Sequence, residues 1–241
     1  MANKQKNQLV TRIASYGVLL TMTFLIFVPI LWMISTSLKS EDAIWDTPIE
    51  IIPSQPTLHN FKNLWSTHPF LSYLENSLIV VSTSTLISVA ISTFAGYGIS
   101  RFKFRGRSVY MAFLLATQLF PSIMLLIPYY KIFMTLHLID QISALIITYI
   151  SFTIPFCTWM MRGYFNGISR DLDQAASIDG ANRFRVFRSV ILPLAWPGIA
   201  ATAIYAFIAG WNEYLFALVF INTTEKKTVS LGIGQLIGEY R

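Results

Sequence analysis

Charge falls in narrow bands along this chain, and long apolar intervals separate them. Asp, Glu, Lys and Arg are absent from 13–38, 76–100, 108–130, 141–161 and 189–212, and again from 214–224 beyond the single Glu213. About 20 apolar residues carry a helix across a bilayer. Lipid offers no partner to free backbone N–H and C=O groups, so runs of this length must be helical. The pattern predicts five spans, at about 15–37, 72–99, 109–130, 141–161 and 194–220. The fifth is expected to kink near its start, where Pro193 and Pro197 each remove a backbone donor. Pro121 and Pro128 mark kinks in the third, which either line a pathway or serve packing. Gly96 and Gly98 are expected to let helices approach closely. The expected fold is an all-α integral membrane protein with one transmembrane domain over 1–241.

Composition supports this. The chain is 54% hydrophobic and 12% charged, where soluble domains carry about a quarter charged residues. The net charge of +6 does not point to nucleic acid, because the cations sit beside the spans. Placing the N-terminus in the cytoplasm puts twelve of them inside: Lys4, Lys6, Arg12, Arg101, Lys103, Arg105, Arg107, Arg162, Arg170, Arg183, Arg185 and Arg188. Six fall outside: Lys39, Lys62, Lys131, Lys226, Lys227 and Arg241. That bias is the one the positive-inside rule expects. The first apolar run is too long for a signal-peptide core and has no convincing small-x-small cleavage site before Lys39, so it reads as an uncleaved helix. The segment 39–71, with Glu41, Asp42, Asp46 and Glu50 among Pro48, Pro53 and Pro56, reads as an ordered external loop without a long helix in its proline-rich part.

Little in the chain suggests chemistry. Cys157 is single and lies in an apolar run, as a small buried residue does. His59, His68 and His137 have no ligand spacing. A membrane enzyme would need catalytic side chains gathered at one depth, and none are seen. No phosphate-cradling G-x-x-x-x-G-K-[ST] is present, so if ATP drives this protein another chain must bind it.

One stretch between spans four and five is dense in charge. Residues 170–189, RDLDQAASIDGANRFRVFRS, hold four arginines and three aspartates. Asp171 is a candidate N-cap, with Gln174 three residues on completing a capping box. Leu172, Ala175 and Ala176 then share one helical face. Gly180 is expected to end that helix in a left-handed conformation. A second short helix would carry Phe184, Phe187 and Ile191 along one side. Two short amphipathic helices joined at a glycine are either a lid on lipid headgroups, with arginines touching phosphates, or a docking knob for a cytoplasmic partner.

The stretch QAASIDGANRFRVFRSVILPL resembles the EAA loop of ABC importer permeases: Glu-Ala-Ala, three residues, Gly, nine residues, Ile, one residue, Leu-Pro. Gln174, Ala175, Ala176, Gly180, Val190, Leu192 and Pro193 stand at that spacing, with Gln174 in place of the glutamate and Val190 in place of the isoleucine. VPILWMISTSLKS, ENSLIV, AGYGISRFKFRGR, FPSIMLLIPYYKIF and GWNEYLFALVF follow in order and resemble carbohydrate-importer permeases, nearest the shorter inner-membrane subunit of maltose-like systems.

The resemblance implies a bacterial or archaeal inner-membrane subunit that performs no chemistry itself. It implies a loop at 162–193 that couples to an ATPase through Asp173, Gln174, Ala175, Ala176, Asp179, Gly180, Phe184, Leu192 and Pro193. The implied partners are a second, different permease subunit, two cytoplasmic subunits that bind ATP and Mg, an external solute-binding protein, and a sugar or related polyol; no nucleic acid is among them. A non-sugar solute is the alternative within this class. An ion-coupled secondary transporter is the alternative outside it; that class calls for repeated halves and several intramembrane carboxylates, and neither is seen. The family has a sixth span, and 221–241 is too short and polar to supply one. Trp211, Asn212 and Glu213 are candidate pathway residues. Glu213 is either a sugar-hydroxyl acceptor or gate, or a structural carboxylate bonded to a neighbouring helix or set near the interface.

Overall fold

The structure is a computed structural model that describes residues 2–45 and 48–239, with side chains described over 11–45 and 48–236. Asp46 lies outside the described residues. The described residues are helices and connections, with no strand among them. Four helical segments are long and apolar enough to cross a membrane, or five if one bent pair counts as a single span.

Two compact units divide the chain at His68 and Pro69. The first unit carries α1 (Ala2–Ser37), α2 (Glu41–Trp45) and α3 (His59–Thr67). No residue of α1 between 11 and 34 is buried. Such an apolar surface requires lipid or other helices around it. Beyond α1 the chain folds back on polar contacts. Lys39 is buried; its ammonium donates to the Glu50 carbonyl at 2.5 Å and lies 5.1 Å from the centre of the Trp32 ring. The Asn60 amide donates to the carbonyls of Ser37 and Lys39, at 3.1 and 2.7 Å. The described part of the proline-rich segment 46–58 forms no helix.

The second unit is built on two long helices, α4 (Phe70–Arg101) and α7 (Ile142–Gly167). At 1.5 Å per residue, α4 is about 48 Å long, more than the roughly 30 Å of hydrocarbon. From Ser84 to Ser100 every fourth residue of α4 is small and buried: Ser84, Ser88, Ser92, Gly96 and Ser100. Four-residue spacing keeps them on one face, and small residues let two membrane helices approach closely. Ser88 and Thr153 hydroxyls meet at 2.8 Å, and Thr158 donates to Ser92 at 3.3 Å. A β-carbon added at Gly96 would stand 2.7 Å from the Met161 β-carbon and 2.9 Å from the Arg162 nitrogen. Gly98 faces open space, so only the first of the two expected contact glycines makes the contact. Cys157 is buried in α7.

The run 109–130 is not one helix. It divides into α5 (Arg107–Thr117) and α6 (Ser122–Thr135), bent by 93°. Pro121 stands at the break with extended ψ and supplies no donor to carry the helix on, while Pro128 is absorbed inside α6.

After α7 come α8 (Asp171–Ile178), α9 (Arg183–Val186), a π-helical turn (Phe187–Ile191), α10 (Leu192–Trp211), α11 (Leu215–Phe220) and α12 (Val229–Glu239). The expected second short helix is not separate: 183–211 runs on as one helical segment through the π turn. Pro193 accounts for the widened turn, since it lacks an N–H and its ring crowds the carbonyl four residues back. The second unit has an apolar core toward each end. One gathers Val81, Leu145, Tyr149, Phe216, Phe220 and Leu231. The other gathers Met161, Phe165, Val186, Phe187, Ile191 and Ala195.

Candidate functional site

The charged stretch folds as a closed helical corner. Arg170, not Asp171, occupies the N-cap position of α8, and Asp171 is the first helical residue. The cap is supplied one residue earlier still, by Ser169: its hydroxyl accepts from the Asp171 N–H at 3.2 Å and donates to the Asp171 carboxylate at 2.9 Å. The capping box expected between Asp171 and Gln174 is therefore replaced by a local serine turn. At the other end Gly180 has φ +81°, as its position required. Its N–H donates to the Ser177 carbonyl at 3.1 Å, and the Ala181 N–H reaches back to the Ala176 carbonyl at 3.0 Å. Those two bonds form a Schellman closure, which leaves few loose carbonyls at the corner. Asn182 then caps α9, its side chain accepting from the Arg185 N–H at 2.9 Å.

The side chains divide into two groups. Ala175, Asp179, Gly180, Phe184 and Pro193 are exposed, with Gln174 beside them; Phe184 is 65% exposed and Ile178 87%. Ala176 and Leu192 are partly buried against the core of Met161, Phe165 and Phe187. The structure thus splits two predicted faces. Ala175 points out while Ala176 packs in, and Phe184 points out while Phe187 and Ile191 are buried. The wider π turn shifts residues after 187 relative to an α-helical register. Sequence reasoning missed Ile178, whose exposed branched side chain at a corner rich in charge was the available signal.

Asp173 is placed differently from the other expected coupling residues. Its carboxylate turns toward α4 and pairs with the Arg101 guanidinium, Nε to Oδ2 at 3.0 Å. Arg101 also donates to the Phe165 and Ile168 carbonyls, at 2.9 and 3.1 Å. Arg170 donates to the Ser100 carbonyl at 2.7 Å. Beside this network lies a cavity of about 270 Å³ lined by Arg101, Arg170, Asp173, Gln174 and Arg183.

The three pathway candidates are neighbours with separate contacts. Trp211 stacks on Phe207 at 5.6 Å. Asn212 is exposed and donates to the Ile208 carbonyl at 2.9 Å. Glu213 breaks the fifth run and caps the helix that follows. Oε1 accepts from the Phe216 N–H at 3.0 Å; Oε2 accepts from the Ala217 N–H at 3.3 Å and from the Tyr149 hydroxyl at 3.0 Å. These contacts include the bond to a neighbouring helix that the structural reading of Glu213 expected. A second carboxylate does similar work at the head of α7. Asp140, at φ +60°, accepts from the N–H groups of Asn222 and Thr223, both at 2.9 Å, and from the Thr223 hydroxyl at 2.5 Å. Lys226 pairs with it at 3.3 Å. The hydroxyl and N–H of Thr223 hold the Asp140 carboxyl far below the ordinary carboxylate value.

The model of the binding-protein-dependent transport system inner membrane component family matches residues 88–238, which spans α8, the corner and the Glu213 break. The chain belongs to this family. The permease is similar to the trehalose/maltose transport system permease protein MalG of Thermococcus litoralis, 36% identical over 90% of this chain and 78% of that one. It is similar also to the maltodextrin transport system permease protein MdxG of Bacillus subtilis, 31% identical over 98% and 84%. Among solved structures, a bacterial ABC transporter involved in the import of the acidic polysaccharide alginate superposes with a TM-score of 0.81. That match is 24% identical and covers 96% of this chain and 81% of the other, and it shows the fold to be that of an ABC importer permease. The permease is thus a multi-pass plasma-membrane protein of a transport family rather than an enzyme family. Importers of this kind join it to a partner permease, an ATPase and a solute-binding protein.

Proposed function

We propose that this permease forms one half of a carbohydrate translocation pathway, with an oligosaccharide or related polyol as substrate. A second, different permease subunit forms the other half. Two cytoplasmic subunits bind ATP and Mg and drive the cycle, and an extracytoplasmic protein delivers the sugar. The observation that carries this reading is the corner at 171–184. It is closed at Gly180, projects Ala175, Ile178 and Phe184 outward, and stands at the spacing of the EAA loop. Exposed apolar side chains on a charged corner suit a socket better than water. Relatives named for trehalose and maltose, for maltodextrin and for diacetylchitobiose support a sugar substrate.

The corner faces the cytoplasm in this reading, as does the N-terminus, and the segment between α1 and α4 faces outward. Two experiments test it. Cysteine at Ile52 should react with an impermeant maleimide added to intact cells, and cysteine at Arg105 only in inverted vesicles; the reverse pattern overturns the orientation. Ala175→Trp should lower ATPase co-purification and uptake of labelled maltodextrin at matched expression. Normal association would remove the coupling role and leave the corner as a lid on lipid headgroups.

A further inference from the structure

Chain continuity alone would pass a push on the corner into α7 and α10, the helices on either side of it. The contacts add a third helix. The Asp173 carboxylate of α8 meets Arg101, the last residue of α4, at 3.0 Å, and the two side chains are 21% and 7% exposed. One turn back, the Tyr97 hydroxyl lies 3.4 Å from the other Asp173 oxygen. The Tyr97 ring packs at 4.7 Å on Phe187 of the π turn and at 5.6 Å on Phe165 of α7. Arg170, just ahead of α8, donates to the Ser100 carbonyl at 2.7 Å. Both arms of the corner therefore close on the final turn and a half of α4, one through charge and the other through aromatic packing. That end of α4 has little room to slide, because Gly96 already lies against the Met161–Arg162 backbone.

We infer that Arg101 and Asp173 form a transmission joint that makes the corner and the end of α4 move as one body, so that motion delivered by the ATPase enters α4 as well as the helices that flank the corner. This rests on the proposed docking of the corner. Both residues act by position. A paired, sheltered carboxylate and guanidinium resist separation, since parting them leaves each charge without its partner in a place that water reaches poorly. Arg101 adds a second constraint, because its fork spans the carbonyls that end α7.

The test measures the joint directly and needs no knowledge of the sugar. Spin labels go on cysteines at Lys103, just past α4, and at Ile178 on the exposed face of α8; Cys157 is buried and out of reach of the label. In the purified permease the expected result is one narrow distance. Asp173→Asn should add a second, longer population, because the amide keeps the shape of the carboxylate but loses the charge. In the assembled importer, trapping the ATPase with ATP, Mg and vanadate should leave the native distance unchanged and enlarge the second population in the variant. If Asp173→Asn does not insert, Arg101→Lys serves, since it retains the cation but loses the fork, and it should broaden the distance in the same way. A native distance that changes on trapping, or variants as narrow as the native protein in both settings, overturns the joint. Failure of the docking reading is distinguishable: the ATPase would then not associate with the permease through the corner, while the distances in the permease alone would still report on the joint.

Discussion

The chain interrupts its helices at two places with different chemistry. At 179–182 the backbone closes itself: Gly180 turns left-handed, and two N–H groups return to carbonyls of α8. At 212–214 a side chain does the work, with the Glu213 carboxylate accepting from two N–H groups of α11 and from the Tyr149 hydroxyl. The first break is exposed on nearly every residue, whereas the second sits against the buried Tyr149, Phe216 and Ala217. Where water is at hand, a loose backbone group at a helix end costs little, and a glycine suffices. At the second break the first N–H groups of α11 are met by a carboxylate held beside the buried Tyr149, Phe216 and Ala217. What separates the two breaks is the burial of what surrounds them.

The comparison is most sharply broken at Glu213. Glu213→Ala leaves two N–H groups and one hydroxyl without an acceptor, each worth about 1–3 kcal/mol when buried. The expected outcome is a large loss of folded permease, read as thermal stability and monodispersity in detergent. Glu213→Gln keeps one oxygen and should fall between alanine and the native residue. If alanine is tolerated, the break does not depend on its cap.

Gly180→Val should act less on stability than on coupling. A left-handed conformation costs a non-glycine residue about 1–2 kcal/mol, and a β-branched one more. Insertion should survive, because position 180 lies outside the spans and a β-carbon there would meet nothing within 4 Å. Uptake and ATPase association are expected to fall together, by about tenfold if 1.4 kcal/mol is lost from docking. Gly180→Asn should restore most of both, since asparagine tolerates the left-handed region. Equal activity in valine and asparagine variants would show that the corner's backbone does not matter.

The smallest effect is expected at Asp140, where a carboxylate caps backbone outside the spans. Its folded pKa is depressed, so its contribution is present above the unfolded value near pH 4 and is lost as pH falls toward the folded value. Asp140→Asn should therefore lower thermal stability modestly and evenly above about pH 5, with the gap to the native permease narrowing below about pH 4. A gap that stays constant at low pH would mean that the carboxylate's charge is not what holds Asn222 and Thr223.

Much of the permease was legible in its one-dimensional pattern. The expected spans 15–37, 72–99 and 141–161 fall on long helical segments, and 194–220 does so only as far as Trp211, because backbone groups in lipid have no alternative to helix. The corner's place, its glycine and its spacing were readable because a positive φ and a run of charge are local properties. Two features were not. The 93° bend within 109–130 has Pro121 as its only local sign, and a proline fixes where a helix breaks without fixing the angle at which the next one leaves. The serine and glycine stripe on α4 could have been read from its four-residue spacing, but only packing against α7 gives it a meaning.

Glu213 and Asp173 are the clearest cases. By itself the sequence determined the class of protein, the helical runs, the charged corner and the family pattern, all of which depend on near neighbours along the chain. It also showed that each of these two carboxylates was present. Tertiary structure alone decided what they face: Tyr149 lies 64 residues from Glu213, and Arg101 lies 72 residues from Asp173 by numbering. The physical reason is that a carboxylate's role is set by the donors within about 3 Å of it, and for each of these two residues one such partner is brought in by a helix distant along the chain.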